Sequence, residues 1–179
     1  MPPSRFLQKG YKARKYKENE DFKGMIKILF VCHGNICRSP MAEFVFRDMV
    51  KKQGIAERFQ IASAATSSEE IGSKAHRGTR QVLKEHGIEV TDRCAVKMKK
   101  EDYLTYDYLI GMDQRNIHNM IRIIGGDPEE KIWRLLDFTD EPGDIADPWY
   151  TGDFNLTYQD VVRGCESFLT FLNSKRGNR

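Results

Sequence analysis

The sequence predicts one α/β domain, a three-layer sandwich with a central parallel sheet of four strands and helices on both faces. Three observations carry this. The 179 residues are 40% apolar, enough to bury one substantial core. Four apolar runs, at 26–31, 59–62, 106–112 and 131–136, read as buried strands. Helical patterns separate these runs, which implies right-handed crossovers and parallel pairing. Ligands of such sheets bind outside the carboxyl ends of the strands.

The first strand, 26–31, runs into Cys32-His33-Gly34-Asn35-Ile36-Cys37-Arg38-Ser39-Pro40. The chain turns at Gly34 and Asn35 and restarts as a helix over about 40–52, with Ser39 as N-cap, Pro40 at the first helical position and Glu43 in the first turn. Met41, Phe44, Val45 and Met49 follow at helical spacing. After the strand at 59–62, a polar loop through 67–73 leads to a helix over about 75–86, stopped by Gly87. A lysine-rich segment precedes the third strand, and a helix over about 114–123 ends at Gly125-Gly126-Asp127-Pro128, a strong turn signal. The fourth strand opens into a loop rich in Asp, Pro and Gly over 137–153. A last helix, about 157–172, buries Val161, Val162, Cys165, Phe168 and Leu169. The domain is expected over 25–173, with 174–179 frayed.

The net charge of +3 comes from the first residues. Residues 1–24 hold Arg5, Lys9, Lys12, Arg14, Lys15, Lys17 and Lys23 against Glu18, Glu20 and Asp21, which leaves 22 basic and 23 acidic residues in 25–179. A nearly neutral domain argues against a nucleic-acid partner. The basic stretch reads as a tail for anionic partners, a flexible extension, or an expression leader ahead of a start at Met25. No run is long and apolar enough for a membrane span or a signal peptide. Cys32, Cys37, Cys94 and Cys165 form neither a disulfide framework nor a paired zinc site, so the expectation is a reducing cytoplasm, no metal and no cofactor.

A strand, a tight loop and a helix start together aim backbone N–H groups at one small hollow, which suits an anion such as phosphate. The same donors favour a thiolate at Cys32. Arg38 adds a planar fork for two phosphate oxygens, and Asn35 tolerates the left-handed backbone that the loop calls for. The plainer reading, a buried structural cysteine in a strand–helix turn, suits a lone cysteine better than Gly, Asn, Arg, Ser and Pro in this order. A leaving group also needs a proton. Asp137, Asp140, Asp144, Asp147 and Asp153 are the candidates; Pro148 restrains Asp147, and Trp149 and Tyr150 flank it.

The loop has the pattern C-x5-R-S and resembles that of the low-molecular-weight protein tyrosine phosphatases. Further matches stand at Ser63-Ala64-Ala65-Thr66-Ser67, at Tyr108-Leu109-Ile110-Gly111-Met112-Asp113 and at Asp147-Pro148-Trp149-Tyr150, so the resemblance covers about Met25 to Phe171. It implies strand order 2-1-3-4 and metal-independent hydrolysis of a phosphotyrosine protein or aryl phosphate through a phosphocysteine on Cys32. It assigns phosphate binding to residues 33–39 (His33, Gly34, Asn35, Ile36, Cys37, Arg38, Ser39) and makes Asp147 the general acid, then the base toward water. Asn35, Ser39 and Ser63 brace the loop. The histidine expected to complete this brace falls near Asp92, a departure; Asp92 takes its place in the loop support, as an acceptor for Ser63. Cys37 either packs in the core or traps an oxidised Cys32 as a reversible disulfide. Cys94 and Cys165 read as packing residues, and His76, His86 and His118 as surface or cap residues.

His33, Glu69, Trp149 and Tyr150 line the expected substrate cleft, with acidic Glu69 and Glu70 where the family places an aromatic. A protein-arginine phosphatase is the nearest alternative, but it resembles this chain less at Ile36 and lacks the paired aromatics after the Asp-Pro. A thioredoxin-coupled arsenate reductase needs more shuttle cysteines. A phosphocysteine carrier, or a phosphate-binding module, has no use for Asp147. A monomer is the default.

Overall fold

The computed structural model describes residues 24–177, and the basic stretch up to residue 23 lies outside them. Seven residues, the last five all buried, form β1 (Ile26–Cys32), followed by α1 (Arg38–Lys52), β2 (Phe59–Ala65) and α2 (Arg77–Glu85). Then come α3 (Asp102–Thr105), β3 (Tyr108–Gly111), α4 (Gln114–Ile124), β4 (Ile132–Arg134), α5 (Pro148–Thr151) and α6 (Phe154–Gly177). The strands pair in parallel, in the order β2-β1-β3-β4, as expected.

Alternation along β1 divides the core. Ile28, Phe30 and Cys32 face α1 and α6, packing with Phe44, Phe46, Cys165 and Phe168. Leu29 and Val31 face α4, packing with Ile117, Met120 and Ile124, and with Met98 and Tyr103. The sheet is therefore the middle layer of three. Burying each large apolar side chain contributes about 1.5–3 kcal/mol, so β1, apolar on both faces, anchors the fold.

Several boundaries differ from the sequence reading. Helix α1 begins at Arg38, and its N-cap is Cys37, without a side-chain cap bond. Ser39 is thus not the cap, because its hydroxyl is engaged with Cys32 and Asn35. No acidic residue lies in the first turn, so Glu43 does not serve the helix dipole there. β2 runs on to Ala65, while β4 ends at Arg134 and Leu135–Phe138 coil into a 3-10 turn. An apolar pair such as Leu135-Leu136 is buried equally well by a turn. α3 is a single turn in the lysine-rich segment, and α5 is another inside the 137–153 stretch read as a loop. α6 starts at Phe154 and continues past residue 173, where the domain was expected to end.

Candidate active site

Cys32 ends β1, an inner strand of the sheet, and so sits at the sheet's carboxyl edge. Asn35 takes the left-handed conformation, with φ at 58°. This folds the loop back so that the Asn35 N–H points at Cys32 Sγ, 3.3 Å away. Ser39 Oγ lies 3.1 Å from the same sulfur. The loop carbonyls are taken up by the surrounding chain. Cys32 O accepts from Thr66 N, His33 O from Ser67 N, Ile36 O from His76 N and Cys37 O from Thr79 Oγ1. With these carbonyls tied outward and the Asn35 N–H aimed at the sulfur, the loop has the makings of an anion nest.

The support behind the loop differs from the expectation. Asp92 is exposed and pairs with Lys74, so it braces nothing. One residue later, Arg93 donates to the Asn35 backbone carbonyl at 3.1 Å and to Asn35 Oδ1. Val96 N also donates to Oδ1, at 3.1 Å. Asn35 Nδ2 donates to Ser39 Oγ at 2.8 Å and to Ser63 Oγ at 3.0 Å. The Ser63 hydroxyl in turn donates to Glu43, a buried carboxylate that also holds Arg47 at 2.8 Å and faces Arg93 at 3.8 Å. Burial lowers the Arg93 pKa, and the Glu43 charge opposes that shift. Glu43 and Arg93 are site residues that the sequence reading missed.

Asp113 was missed too. Arg38 is 2% exposed, and its Nη1 donates to Asp113 Oδ2 at 2.6 Å and to Ile145 O at 2.9 Å. Its Nη2 reaches Asp147 Oδ2 at 3.3 Å. Burial pulls the Arg38 pKa down, but the negative charges on Cys32, Asp113 and Asp147 outweigh it, and the net shift is upward. The same Asp113 caps α4 by accepting from Asn116 N at 2.7 Å. Asp147 has the extended backbone expected before Pro148 (ψ 113°), and its Oδ1 accepts from Trp149 N at 3.1 Å, capping α5.

At the rim, His33 Nε2 and Glu69 Oε2 are 3.1 Å apart, and Gly34 lies against Glu70. Trp149 and Tyr150 are both exposed; Trp149 meets the edge of His76, which caps α2 and stacks on Phe154. Cys37 is buried beside Ile36 and Ala95, and burial, with the Cys32 charge, pushes its pKa up to about 12. Cys165 is buried, but Cys94 is exposed, not the packing residue expected.

A family profile described as "Low molecular weight phosphotyrosine protein phosphatase" matches residues 27–178, and the chain belongs to this family. The low molecular weight protein-tyrosine-phosphatase YfkJ of Bacillus subtilis is 38% identical over 154 residues, 85% of this chain and 99% of that protein. PtpA of Staphylococcus aureus, of the same description, is 34% identical over 149 residues, 83% of this chain and 94% of its own. The crystal structure of YfkJ superposes with a TM-score of 0.81, covering 85% of this chain and 97% of that one. A Drosophila arginine phosphatase also superposes, at 30% identity and a TM-score of 0.75, covering 82% and 98%.

Proposed function

We propose that the chain hydrolyses protein phosphotyrosine through a phosphocysteine on Cys32, with Arg38 and the loop amides of residues 33–39 binding the phosphoryl group. The observation that carries this reading is the convergence on one hollow of a sulfur, a hydroxyl 3.1 Å from it and a buried guanidinium that reaches Asp147. The Cys32 thiolate attacks phosphorus while Asp147 protonates the departing phenolate oxygen. The P–O bond breaks and a P–S bond forms. Asp147 then takes a proton from water, which attacks phosphorus, and the thiolate leaves with the Ser39 hydroxyl donating to it. Arg38 trades its 3.3 Å contact with Asp147 for the equatorial oxygens. These groups carry the charge without a metal ion.

Phosphotyrosine is favoured over phosphoarginine by the exposed Trp149 and Tyr150 beside Asp147, a pair of rings for an aryl group to lie against, and by Ile36 in the loop. Arginine phosphatase activity is the second reading, since a neighbour so described shares the fold. No helix of the described residues is long and apolar enough to cross a membrane. A reducing cytoplasm, where Cys32 stays a thiol, and a monomer complete the reading.

Turnover of phosphotyrosine and phosphoarginine peptides side by side, without added metal, tests it. Faster phosphotyrosine hydrolysis, blocked by vanadate and lost in Cys32→Ser, is expected. Preference for phosphoarginine would replace the substrate, and an active Cys32→Ser would remove the mechanism.

A further inference from the structure

We infer that Arg93 is a positioning residue of this reaction: by holding the Asn35 side-chain amide in one orientation, it aims the Ser39 hydroxyl at the Cys32 sulfur. The inference rests on Cys32 being the nucleophile. An amide can sit either way round, and only its partners decide. Two donors without acceptor capacity meet one end of the Asn35 amide: an Arg93 guanidinium N–H and the Val96 backbone N–H. That end must therefore be the oxygen. The amide nitrogen is left to face Ser39 and Ser63, to which it donates at 2.8 and 3.0 Å.

Each serine hydroxyl has one proton. Ser63 gives its proton to Glu43, whose carboxylate can only accept. Ser39, accepting from Asn35, keeps its proton for the nearest acceptor, Cys32 Sγ at 3.1 Å. Reversing the amide would set nitrogen against the Arg93 and Val96 donors, and would draw the Ser39 proton away from sulfur toward the amide oxygen. The charges of buried Glu43 and half-buried Arg93 thus set the polarity of a chain that ends on the reacting atom. Arg93 also grips the Asn35 carbonyl with its other terminal nitrogen, at 3.1 Å, a two-point hold on the left-handed residue. A lysine, with one ammonium, cannot span both oxygens.

The test compares Arg93→Met, Arg93→Lys, Asn35→Ala, the Arg93→Met/Asn35→Ala double variant and Asp92→Ala. The readouts are kcat and KM on p-nitrophenyl phosphate and the rate at which iodoacetamide alkylates Cys32 at neutral pH. Arg93→Met is expected to lower kcat about 10–100-fold, with KM nearly unchanged, the range seen when an outer-shell orienting residue is lost. Alkylation of Cys32 slows with it, and added guanidinium ion restores part of the lost kcat. The double variant is expected to lose clearly less than the product of the two single losses, because the side-chain amide is shared, while the Arg93 bond to the Asn35 backbone carbonyl survives Asn35→Ala. Asp92→Ala is unchanged.

A folded Arg93→Met with the parental kcat and alkylation rate, or losses that multiply in the double variant, would overturn the inference. Should Arg93→Met not fold, Arg93→Lys decides: it keeps charge and stem but not the fork, so a fall in both readouts supports the role and parental values refute it. Should the parental chain turn over no phosphate ester, the functional reading fails, and the alkylation arm alone judges Arg93.

Discussion

Arg38 Nη1 lies 2.6 Å from Asp113 Oδ2, whereas Nη2 lies 3.3 Å from Asp147 Oδ2, so one carboxylate holds the guanidinium and the other only touches it. The division suits the two carboxylates: a general acid has to be released to meet its leaving group, and an anchor does not. Asp113→Asn keeps the shape and the cap of α4 but weakens a charge-assisted bond. We expect kcat/KM for p-nitrophenyl phosphate to fall roughly tenfold, equivalent to ~1.4 kcal/mol, through looser phosphate binding. A thermal melt checks the fold; it should drop by about 2–4 °C per kcal/mol lost.

Asp147→Ala removes the proposed proton donor. Loss for phenyl phosphate should approach the ~10²–10⁴-fold typical of general acid catalysis, and loss for p-nitrophenyl phosphate should be much smaller, because p-nitrophenolate leaves without a proton. Single-turnover release of the two phenols measures this. Equal losses would move the acid to another residue of the 137–153 loop.

The Cys37 thiol, held up at about 12 in the fold against an ordinary 9.0, keeps its proton over a range where the unfolded chain loses it. The folded state therefore binds more protons between these values, and stability falls as pH rises from about 9 toward 12. Below 9 this contribution is fully present. Burial shifts Cys165 in the same direction. Denaturant melts at stepped alkaline pH should show the decline, and Cys37→Ala should flatten part of it. Peptide mapping after iodoacetamide at neutral pH should find Cys32 and exposed Cys94 labelled and Cys37 spared.

Gly78 permits a close contact. A Cβ there would stand 2.6 Å from the Phe154 ring, which stacks on His76. Gly78→Ala must displace Phe154, and overpacking of this kind costs about 1–3 kcal/mol. Because Phe154 also packs on the Ile36–Cys37 cluster, the variant should lose activity as well as melting temperature. Calorimetry and a kcat measurement check the pair of effects.

Local chemistry made part of the site legible. The left-handed Asn35 and the extended Asp147 before Pro148 both follow from neighbours a few residues away. The strands and their parallel pairing, with helices on both faces, were legible in the apolar runs separated by helical patterns, and the order 2-1-3-4 in the family resemblance. Asp113, Glu43 and Arg93 were not legible, because only the closed fold brings them to Arg38 and Asn35. Arg93 was missed by one position: the resemblance put the expected histidine near Asp92, and the bonds to Asn35 come instead from the arginine next to it. Its alternation with Ala95, a buried neighbour, was the available signal. The Ser39 cap was misread because one hydroxyl can cap a helix or contact a sulfur, and propensity favours the cap. Leu135-Leu136 extended the fourth strand on paper because an apolar pair carries no period.

The brace around Asn35 also ties the reaction centre to the mechanical integrity of the whole domain. Its members come from α1, β2 and the 93–96 segment, which β1, β2 and the Ala65–Lys97 bridge hold together. Such a centre cannot loosen alone; it opens only when the sheet does. An oxyanion seated in the loop then acts as a clasp on the fold, and at a hundred times its dissociation constant adds about 2.7 kcal/mol to the free energy of unfolding. Amide exchange in β1, β2 and residues 93–96 would slow together, as one cooperative unit, when phosphate is bound.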